Sequence, residues 1–580
     1  MPMSPLPRRI WVQVSLVLLP VLAFFPGLSS PRTHYDDSLY LDRPEYLMPG
    51  LSGLGSLWAG TSAWNGFFLE YFPLRDTFYW LIFQQWEKSS MPYHVVSLGF
   101  HLAATLLVFR FVEKLTDSSW VPAAAALLFA VHPIHIESVV WIAGLKDPMY
   151  ACFMVGSLSA FLAYRERLKP GLYLLALVLL VCALLTKSMA LSTPLIMLAA
   201  DRWVGRPVAW RTTLLRVAGP GLVCAIFLGQ FLVIGKTNSV SNLPHQGSWM
   251  AHWVLTAWAQ VAYVRQALFP STFRLIYCFW PVESWADPRL FAGLALVGAV
   301  AALVFAWRKK PLHLFALAFY FACLAPVSNL VPFPAVMADR YLYAASVGPC
   351  LLIALLLDRA RPRLKNTVLG LAVLALTSTT ALRSAIWQDE ELLWVDADED
   401  PVCIADPEFP AADVHYLRYI TAKDDVTRIL ALERLLLTRG PDGNSFGLGC
   451  EALLSGAQLL EKQGDHTRAM NWAKNAVKNC TRHPKMWGTV LTVTVHRDLP
   501  VAASAAQKWF RGEPNFRTQL FTVLTQLELK DEAATRAALL TLVQAQPAET
   551  CHTLRVWAAE LRPPQRAPLT AALAACAGSP

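Results

Sequence analysis

The sequence predicts an all-α protein: a polytopic bundle of membrane-crossing helices followed by a water-soluble helical domain. Three observations carry this. First, 55% of the 580 residues are hydrophobic and only 16% charged, with a mean hydropathy of +0.39, whereas soluble domains run nearer a quarter charged. Second, the apolar residues are gathered into long runs up to about Leu382, such as Leu172–Leu185, Leu214–Ile234 and Leu290–Trp307. Third, after Trp387 the charge density rises and no run is long enough to cross a bilayer. Residues 1–387 therefore read as the membrane part and 388–580 as the soluble part.

The first apolar segment, Ile10–Ser29, follows Arg8 and Arg9. It reads as a transmembrane helix rather than a cleaved leader, because no small-x-small cleavage site precedes Pro31 and many further spans follow. Next come Tyr93–Val112, Trp120–Val131, Met149–Ala163, Leu172–Leu185 and Met189–Ala200. Leu214–Ile234, Leu290–Trp307, Leu312–Val327, Leu342–Leu357 and Val368–Leu382 complete a set of about eleven spans.

Basic residues accumulate in cytoplasmic loops. Arg8/Arg9, Arg110/Lys114, Arg165/Arg167/Lys169, Arg202/Arg206/Arg211, Arg308/Lys309/Lys310 and Arg359/Arg361/Arg363/Lys365 fall in alternate connections of this scheme. The alternation requires His252–Leu268 to lie on the outer side as an interfacial or re-entrant helix that makes no net crossing. The N-terminus is then cytoplasmic and the C-terminal domain lies outside. The net charge of +9 is largely this loop charge; it suits anionic lipid head groups and calls for no nucleic-acid partner.

Of the eleven cysteines, Cys152, Cys182, Cys224, Cys323 and Cys350 sit in apolar helices. Cys278, Cys403, Cys450, Cys480, Cys551 and Cys576 would face an exterior that permits disulfides, with the pairing open.

Five polar clusters fall on the outer face. They are His34-Tyr35-Asp36-Asp37, the amphipathic stretch Glu70–Asp76 with Arg75, the run His132-Pro-Ile-His135-Ile-Glu137 through Lys146-Asp147, Thr186-Lys187-Ser188, and Asp339-Arg340-Tyr341-Leu342-Tyr343. Each alone has a plain reading: a solvated loop start, a helix-end histidine, a snorkelling lysine, a structural ion pair. Ionisable groups at membrane depth cost several kcal/mol and face a cavity or one another. Five clusters on one side therefore point to a single outward-facing site, with carboxylates for proton abstraction and cations for a leaving anion.

These residues also resemble a family. Asp36-Asp37 after the first span is like the acidic motif of GT-C glycosyltransferases. More specifically, several stretches resemble the transmembrane and tetratricopeptide-repeat O-mannosyltransferase family and its bacterial relatives. They are His132-Pro-Ile-His-Ile-Glu through Lys146-Asp147, Pro326-Val-Ser-Asn-Leu330 with Met337-Ala-Asp-Arg-Tyr-Leu-Tyr343, Thr186-Lys-Ser-Met-Ala190 ahead of Asp201-Arg-Trp203, and Tyr93-His94 with His101. Trp387 with Leu393-Trp394 and Pro401 closes the match. Phe72 and Ser97 depart from the family, which usually has Arg and Asn there. In the tail, Leu459-Leu460 through Gly464-Asp465 to Ala469, then Ala473, Ala476 and Pro484, is similar to one tetratricopeptide unit, and Leu527–Pro547 to a weaker second. An irregular helical domain is the other reading.

The resemblance implies a GT-C-type enzyme moving one sugar from a polyprenyl-phosphate carrier to an acceptor hydroxyl, on Ser/Thr of a protein, outside the cytoplasm. It would sit in a bacterial inner membrane, or in the endoplasmic reticulum of a eukaryote. Asp36 would be the general base, with Asp37 as helper. Arg340 and Lys187 would hold the departing phosphate. His132, His135, Glu137, Lys146, Asp147, Asp339, Tyr343, Arg75 and His94 would line the substrate pocket. No cofactor is called for, and His-x-x-His with one Glu leaves a divalent metal open. The rival expectation is a non-catalytic scaffold whose helical tail assembles protein partners.

Overall fold

The computed structural model describes residues 5–42, 48, 50–60, 71–205, 208–237, 244–333, 335–405, 409–437, 448–479 and 539. Among them every regular element is a helix and no strand occurs. The chain forms two compact units, Met1–Ala405 and Asp406–Pro580.

In the first unit the helices are α1 (Pro5–Phe24), α2 (Asp37–Leu41), α3 (Leu51–Ala59), α4 (Pro73–Trp86), α5 (Ser90–Glu113), α6 (Val121–Ala130), α7 (Ile136–Val140) and α8 (Lys146–Arg167). There follow α9 (Pro170–Leu184), α10 (Thr193–Trp203), α11 (Trp210–Thr237), α12 (Trp249–Leu268), α13 (Pro288–Ala306) and α14 (Pro311–Leu324). The last are α15 (Leu342–Ala345), α16 (Val347–Leu357), α17 (Pro362–Ile386), α18 (Glu390–Asp398) and α19 (Pro401–Ala405). Residues 388–405, which composition alone assigns to the tail, thus lie in this unit.

Every expected span is helical, but the spans are of different kinds. Among the described residues five stretches are long and apolar enough to cross a bilayer alone: Ile10–Ser29, Ser90–Glu113, Trp210–Ile234, Pro288–Ala306 and Pro362–Ile386. Two more qualify only as bent pairs, α6 with Pro133–Val140 at 48° and Asp339–Ala345 with α16 at 54°. Pro170–Leu184 and Pro311–Val327 are shorter apolar helices. The expected spans at 149–163 and 189–200 correspond to α8 and α10, which do not reach that length and apolarity. Nor does α12, the helix expected to make no crossing.

The difference follows from where each helix sits. In α13 only 6% of the apolar window is covered, and Phe291, Leu294, Val297 and Phe305 face outward; such a helix must be apolar all round to suit lipid. By contrast α8 is enclosed, packing against α5 and α9, with residues Lys146 to Cys152 all buried. Helix neighbours take the place of lipid there, so polar residues are tolerated. Elsewhere α6 packs on α5 and α16, α14 on α10 and α16, and α1 on α17. Gly348 allows the α14–α16 approach: a Cβ there would lie 2.5 Å from the Ala316 carbonyl oxygen.

Three of the polar clusters sit where helices break into 3₁₀ turns, at Pro133–His135 and Ile142–Leu145, at Ser188–Ser192, and at Asp339–Tyr341. Short turns flanked by buried helices bring polar side chains to the bundle interior without exposing backbone to lipid. Glu70, of the amphipathic stretch, lies outside the described residues.

The second unit begins with the hairpins α20 (Phe409–Thr421) with α21 (Asp425–Leu437), and α22 (Leu448–Lys462) with α23 (His466–Asn479). Ala412, Leu432, Leu435 and Ala452 form its core, with Trp472 and Leu459 packed on it. Gly464 takes φ +84° at the turn between α22 and α23. The small residues read as repeat-like, Ala469, Ala473 and Ala476, are fully buried. Pro484, the second stretch 527–547, and Cys480, Cys551 and Cys576 lie outside the described residues, as does the side chain of Cys450.

Candidate functional site

The site is built on the loop after α1. Asp37 is fully buried. Its Oδ2 accepts from the Thr33 backbone N–H at 2.7 Å and lies 3.0 Å from the Thr33 hydroxyl, and its Oδ1 accepts from the Ala143 N–H at 3.0 Å. The carboxylate therefore staples this loop to the 142–145 turn. Burial pushes its pKa up to about 7 against those three bonds, and the charge of Asp36 adds to the rise. Asp36, its neighbour, is half-buried and holds φ +58°, a left-handed conformation that Asp tolerates better than most residues.

Beside them Tyr35 stacks on Trp141, with centroids 5.6 Å apart, and meets Trp394 edge-on at 5.9 Å. The guanidinium of Arg340 lies 5.4 Å from the same Trp141 ring and 5.2 Å from Tyr341. Trp141 thus joins the acidic loop to the cation at the α15 entrance. Arg340 is held by Glu137, which accepts from its Nη1 on one oxygen and from its backbone N–H at 2.9 Å on the other.

Lys187, at the turn after α9, is ion-paired through its Nζ with Asp147 Oδ1. The other oxygen of Asp147 is buried without a hydrogen-bond partner among the described residues. The Lys187 ammonium lies 5.8 and 5.7 Å from the Tyr150 and Tyr341 rings. Burial lowers its pKa to about 8; Asp147 opposes the fall, while Lys146 and Arg340 add to it. Lys146 donates to the Tyr40 hydroxyl at 2.7 Å, and Arg75 lies 5.0 Å from the same Tyr40 ring. Lys187 therefore lies within electrostatic range of both Lys146 and Arg340, with Asp147 paired to Lys187 and Glu137 to Arg340. Such a group attracts an anion.

Other expected residues stand apart. Arg75 is fully buried and paired with Asp76 at 2.7 Å. His94 contacts the Ser30 carbonyl at 3.0 Å, and His132 that of Ala267 at 3.2 Å. His135 Nε2 is 3.0 Å from the Ser346 hydroxyl, and Tyr343 OH is 2.7 Å from His101 Nδ1. These four side chains hold helices and turns together. Among the described residues no three His, Cys, Asp or Glu side chains are grouped to hold a metal; His132, His135 and Glu137 each turn to a different partner. Asp339 accepts from the Tyr277 hydroxyl at 2.9 Å and lies next to Arg340.

The two departures from the family pattern are both accommodated. Phe72 offers its ring to Arg75 at 5.0 Å, and the Ser97 hydroxyl donates to the Ser138 carbonyl at 3.2 Å. What the sequence reading missed is the aromatic frame of Tyr40, Trp141 and Tyr150, together with Tyr277; Trp394, which joins it, was singled out only through the resemblance. The one available signal was that most of these stand within or beside the polar motifs.

The chain is similar to curated protein O-mannosyl-transferases. One from Caenorhabditis elegans is 26% identical over 346 residues, 56% of this chain and 48% of its own length. Protein O-mannosyl-transferase TMTC3 of Homo sapiens is 26% identical over 384 residues, 57% of this chain and 40% of its own. Tmtc1 of Drosophila melanogaster is 37% identical over 111 residues, 19% and 13% respectively. These relatives agree with the resemblance carried by the motifs. The chain spans about half the length of the curated relatives it matches, or less. No protein-family model matches it.

Proposed function

We propose that this chain is a GT-C-type membrane glycosyltransferase that moves one sugar, a mannosyl unit on the names of its relatives, from a polyprenyl-phosphate donor to a Ser/Thr hydroxyl of a protein on the non-cytoplasmic side. The observation that carries the reading is the shared Trp141: a half-buried acid, Asp36, follows Tyr35 on one side of that ring, and the Arg340 cation lies against it. Asp36 takes the proton of the acceptor hydroxyl, whose oxygen bonds to the anomeric carbon as the bond from that carbon to the phosphate oxygen breaks. The phosphate leaves carrying the electron pair, onto Arg340 and Lys187. Asp37 keeps the loop in place.

The disulfide between Cys278 and Cys403 supports the outward placement, since both cysteines fall in segments that the charge pattern puts outside and such bonds persist in oxidising compartments. In this reading the first unit is the catalytic membrane part and the second, with its helix hairpins, is a repeat-like domain that recruits the protein acceptor.

The test is Asp36→Asn in the full chain, with transfer to a Ser/Thr peptide measured. Loss of about 10²–10⁴-fold with donor binding retained is expected for removal of a general base. Full activity in both Asp36→Asn and Asp37→Asn would sink the assignment and favour the scaffold.

A further inference from the structure

The acidic loop after α1 is gripped by α18, a helix that composition alone assigns to the tail. Glu390 on that helix accepts from the His34 backbone N–H at 2.6 Å on one carboxylate oxygen, and its other oxygen lies 2.8 Å from the His34 ring nitrogen Nδ1. Trp394, one turn further along the same face, meets the Tyr35 ring edge-on at 5.9 Å. Just before the helix, the Gln388 side-chain amide donates to the Pro26 carbonyl at 2.7 Å and to the Ser29 hydroxyl at 3.1 Å. Residues 388–394 thus hold the loop from its start to the two residues that precede Asp36.

The backbone at Asp36 depends on such support. It holds φ +58°, in a turn that the Asp37 N–H closes on the Tyr35 carbonyl at 2.7 Å. A non-glycine residue keeps a left-handed conformation when its surroundings fix the chain on either side. After Asp36 the fixing is done by Asp37, through Thr33 and Ala143. Before it the fixing is done by Glu390 and Trp394. Trp394 is fully buried and the Glu390 side chain is 10% exposed, whereas His34 is exposed. The contact with the His34 ring is therefore weak, and the charge-assisted bond to the backbone N–H is the stronger of the two. The helix is itself anchored: Asp389 caps its first turn, accepting from the Glu391 N–H at 3.1 Å. Beyond it the Arg274–Asp400 ion pair and the Cys278–Cys403 disulfide tie the chain to the loop after α12.

We propose that Glu390 is a positioning residue for the transfer reaction: by holding the His34 N–H it sets the turn that presents the Asp36 carboxylate. The inference rests on the assignment of Asp36 as general base. Glu390 acts through the backbone, so the reach of its side chain matters and its charge does not. Shortening that reach displaces the base, and a displacement of about 1 Å costs on the order of 10²-fold in rate. Donor binding is left as it was, because Arg340 and Lys187 stand on other elements, the turns before α15 and after α9.

The experiment uses the full chain in detergent with polyprenyl-phosphate mannose and a Ser/Thr-containing peptide, and reads the single-turnover transfer rate and the donor Kd separately. Glu390→Ala removes the carboxylate, and Glu390→Asp keeps the charge but withdraws it by one methylene. Both are expected to slow transfer about tenfold or more with donor Kd unchanged; the Asp variant covers the case in which the Ala variant fails to fold. Glu390→Gln keeps an acceptor oxygen at full reach and should retain most of the rate. Adding Glu390→Ala to Asp36→Asn should take nothing further from the residual rate, because the base through which Glu390 acts is already gone. A wild-type rate in the Ala and Asp variants overturns the proposal. So does the reverse order, with Asp active and Gln slow, or an equal further loss in the Asp36→Asn background. If Asp36→Asn loses transfer while Glu390→Asp keeps the full rate, the positioning inference alone fails. If Asp36→Asn and Asp37→Asn are both fully active, the functional reading itself fails.

Discussion

Two ion clusters in the first unit look alike in composition and differ in how completely their carboxylates are satisfied. At the loop end of α10, Asp201 is fully buried, with Oδ1 contacting both Arg165 and Arg216 and Oδ2 accepting from the Thr213 hydroxyl at 2.6 Å. Arg165 also donates to the Ala200 and Val204 carbonyls, at 3.0 and 2.8 Å. In the outer cluster Asp147 has, among the described residues, only one oxygen occupied, the Lys187 pKa is pushed down to about 8, and Lys146 and Arg340 both act on that ammonium. A carboxylate with both oxygens engaged is a fastening. One with an oxygen that the described residues leave unbonded, beside cations that disfavour each other, is less completely satisfied by the fold.

The comparison makes its strongest demand on Asp201. Asp201→Ala leaves two partly buried guanidiniums, those of Arg165 and Arg216, without their carboxylate and should destabilise the fold by about 3–5 kcal/mol, read as a fall in thermal midpoint in detergent. A fall no larger than that of Asp147→Asn would erase the distinction.

Next in size is the alkaline limb of donor binding. Lys187 loses its proton near pH 8 rather than in the usual lysine range, so a phosphate contact of about 1.5–3 kcal/mol is lost above that pH. If Lys187 holds the donor phosphate as proposed, donor KM should rise by up to about tenfold from pH 7 to pH 9, and Lys187→Arg should flatten the rise. A profile identical in the two proteins would remove Lys187 from the donor site.

A smaller effect is expected from Asp37. Its folded pKa of about 7 lies above the ordinary aspartate value of 3.8, so between those values the folded state binds more protons than the unfolded one. Its contribution is fully present below about pH 4 and declines as pH rises through about 7. Unfolding of wild type followed from pH 4 to 8 should show that decline, reduced in Asp37→Asn. The opposite slope would mean that its three hydrogen bonds outweigh burial.

The smallest effect sets the baseline. His34 is 62% exposed where it meets Glu390 at 2.8 Å, so His34→Ala should cost no more than about 1 kcal/mol. The backbone N–H of residue 34 keeps its own bond to Glu390. A cost matching that of Asp201→Ala would show that exposure does not separate these pairs.

Much of the candidate site was legible in advance because chemistry-bearing residues are conspicuous in an apolar chain. Asp36, Asp37, Lys146, Asp147, Lys187, Glu137 and Arg340 could be picked out one by one. Their partners could not. Glu137 and Arg340 stand 203 residues apart in sequence, and Asp37 and Ala143 stand 106 apart. Arg165, read as loop charge, turned out to be fastened to Asp201.

The sequence by itself determined the helical class, the position of the apolar runs and the gathering of polar residues at their ends. Those are consequences of local composition: a backbone in lipid must satisfy its own hydrogen bonds, and only a helix does so within one segment. The tertiary structure decided which acid is buried as a fastening and which stays half-exposed, and that Cys278 finds Cys403. It also decided that residues 388–405 join the first unit, and that α8 can carry Lys146 and Asp147 because other helices, not lipid, surround it. Each of these depends on contacts between segments far apart in the chain, and the free energy of a charge is set by what surrounds it rather than by its neighbours in sequence.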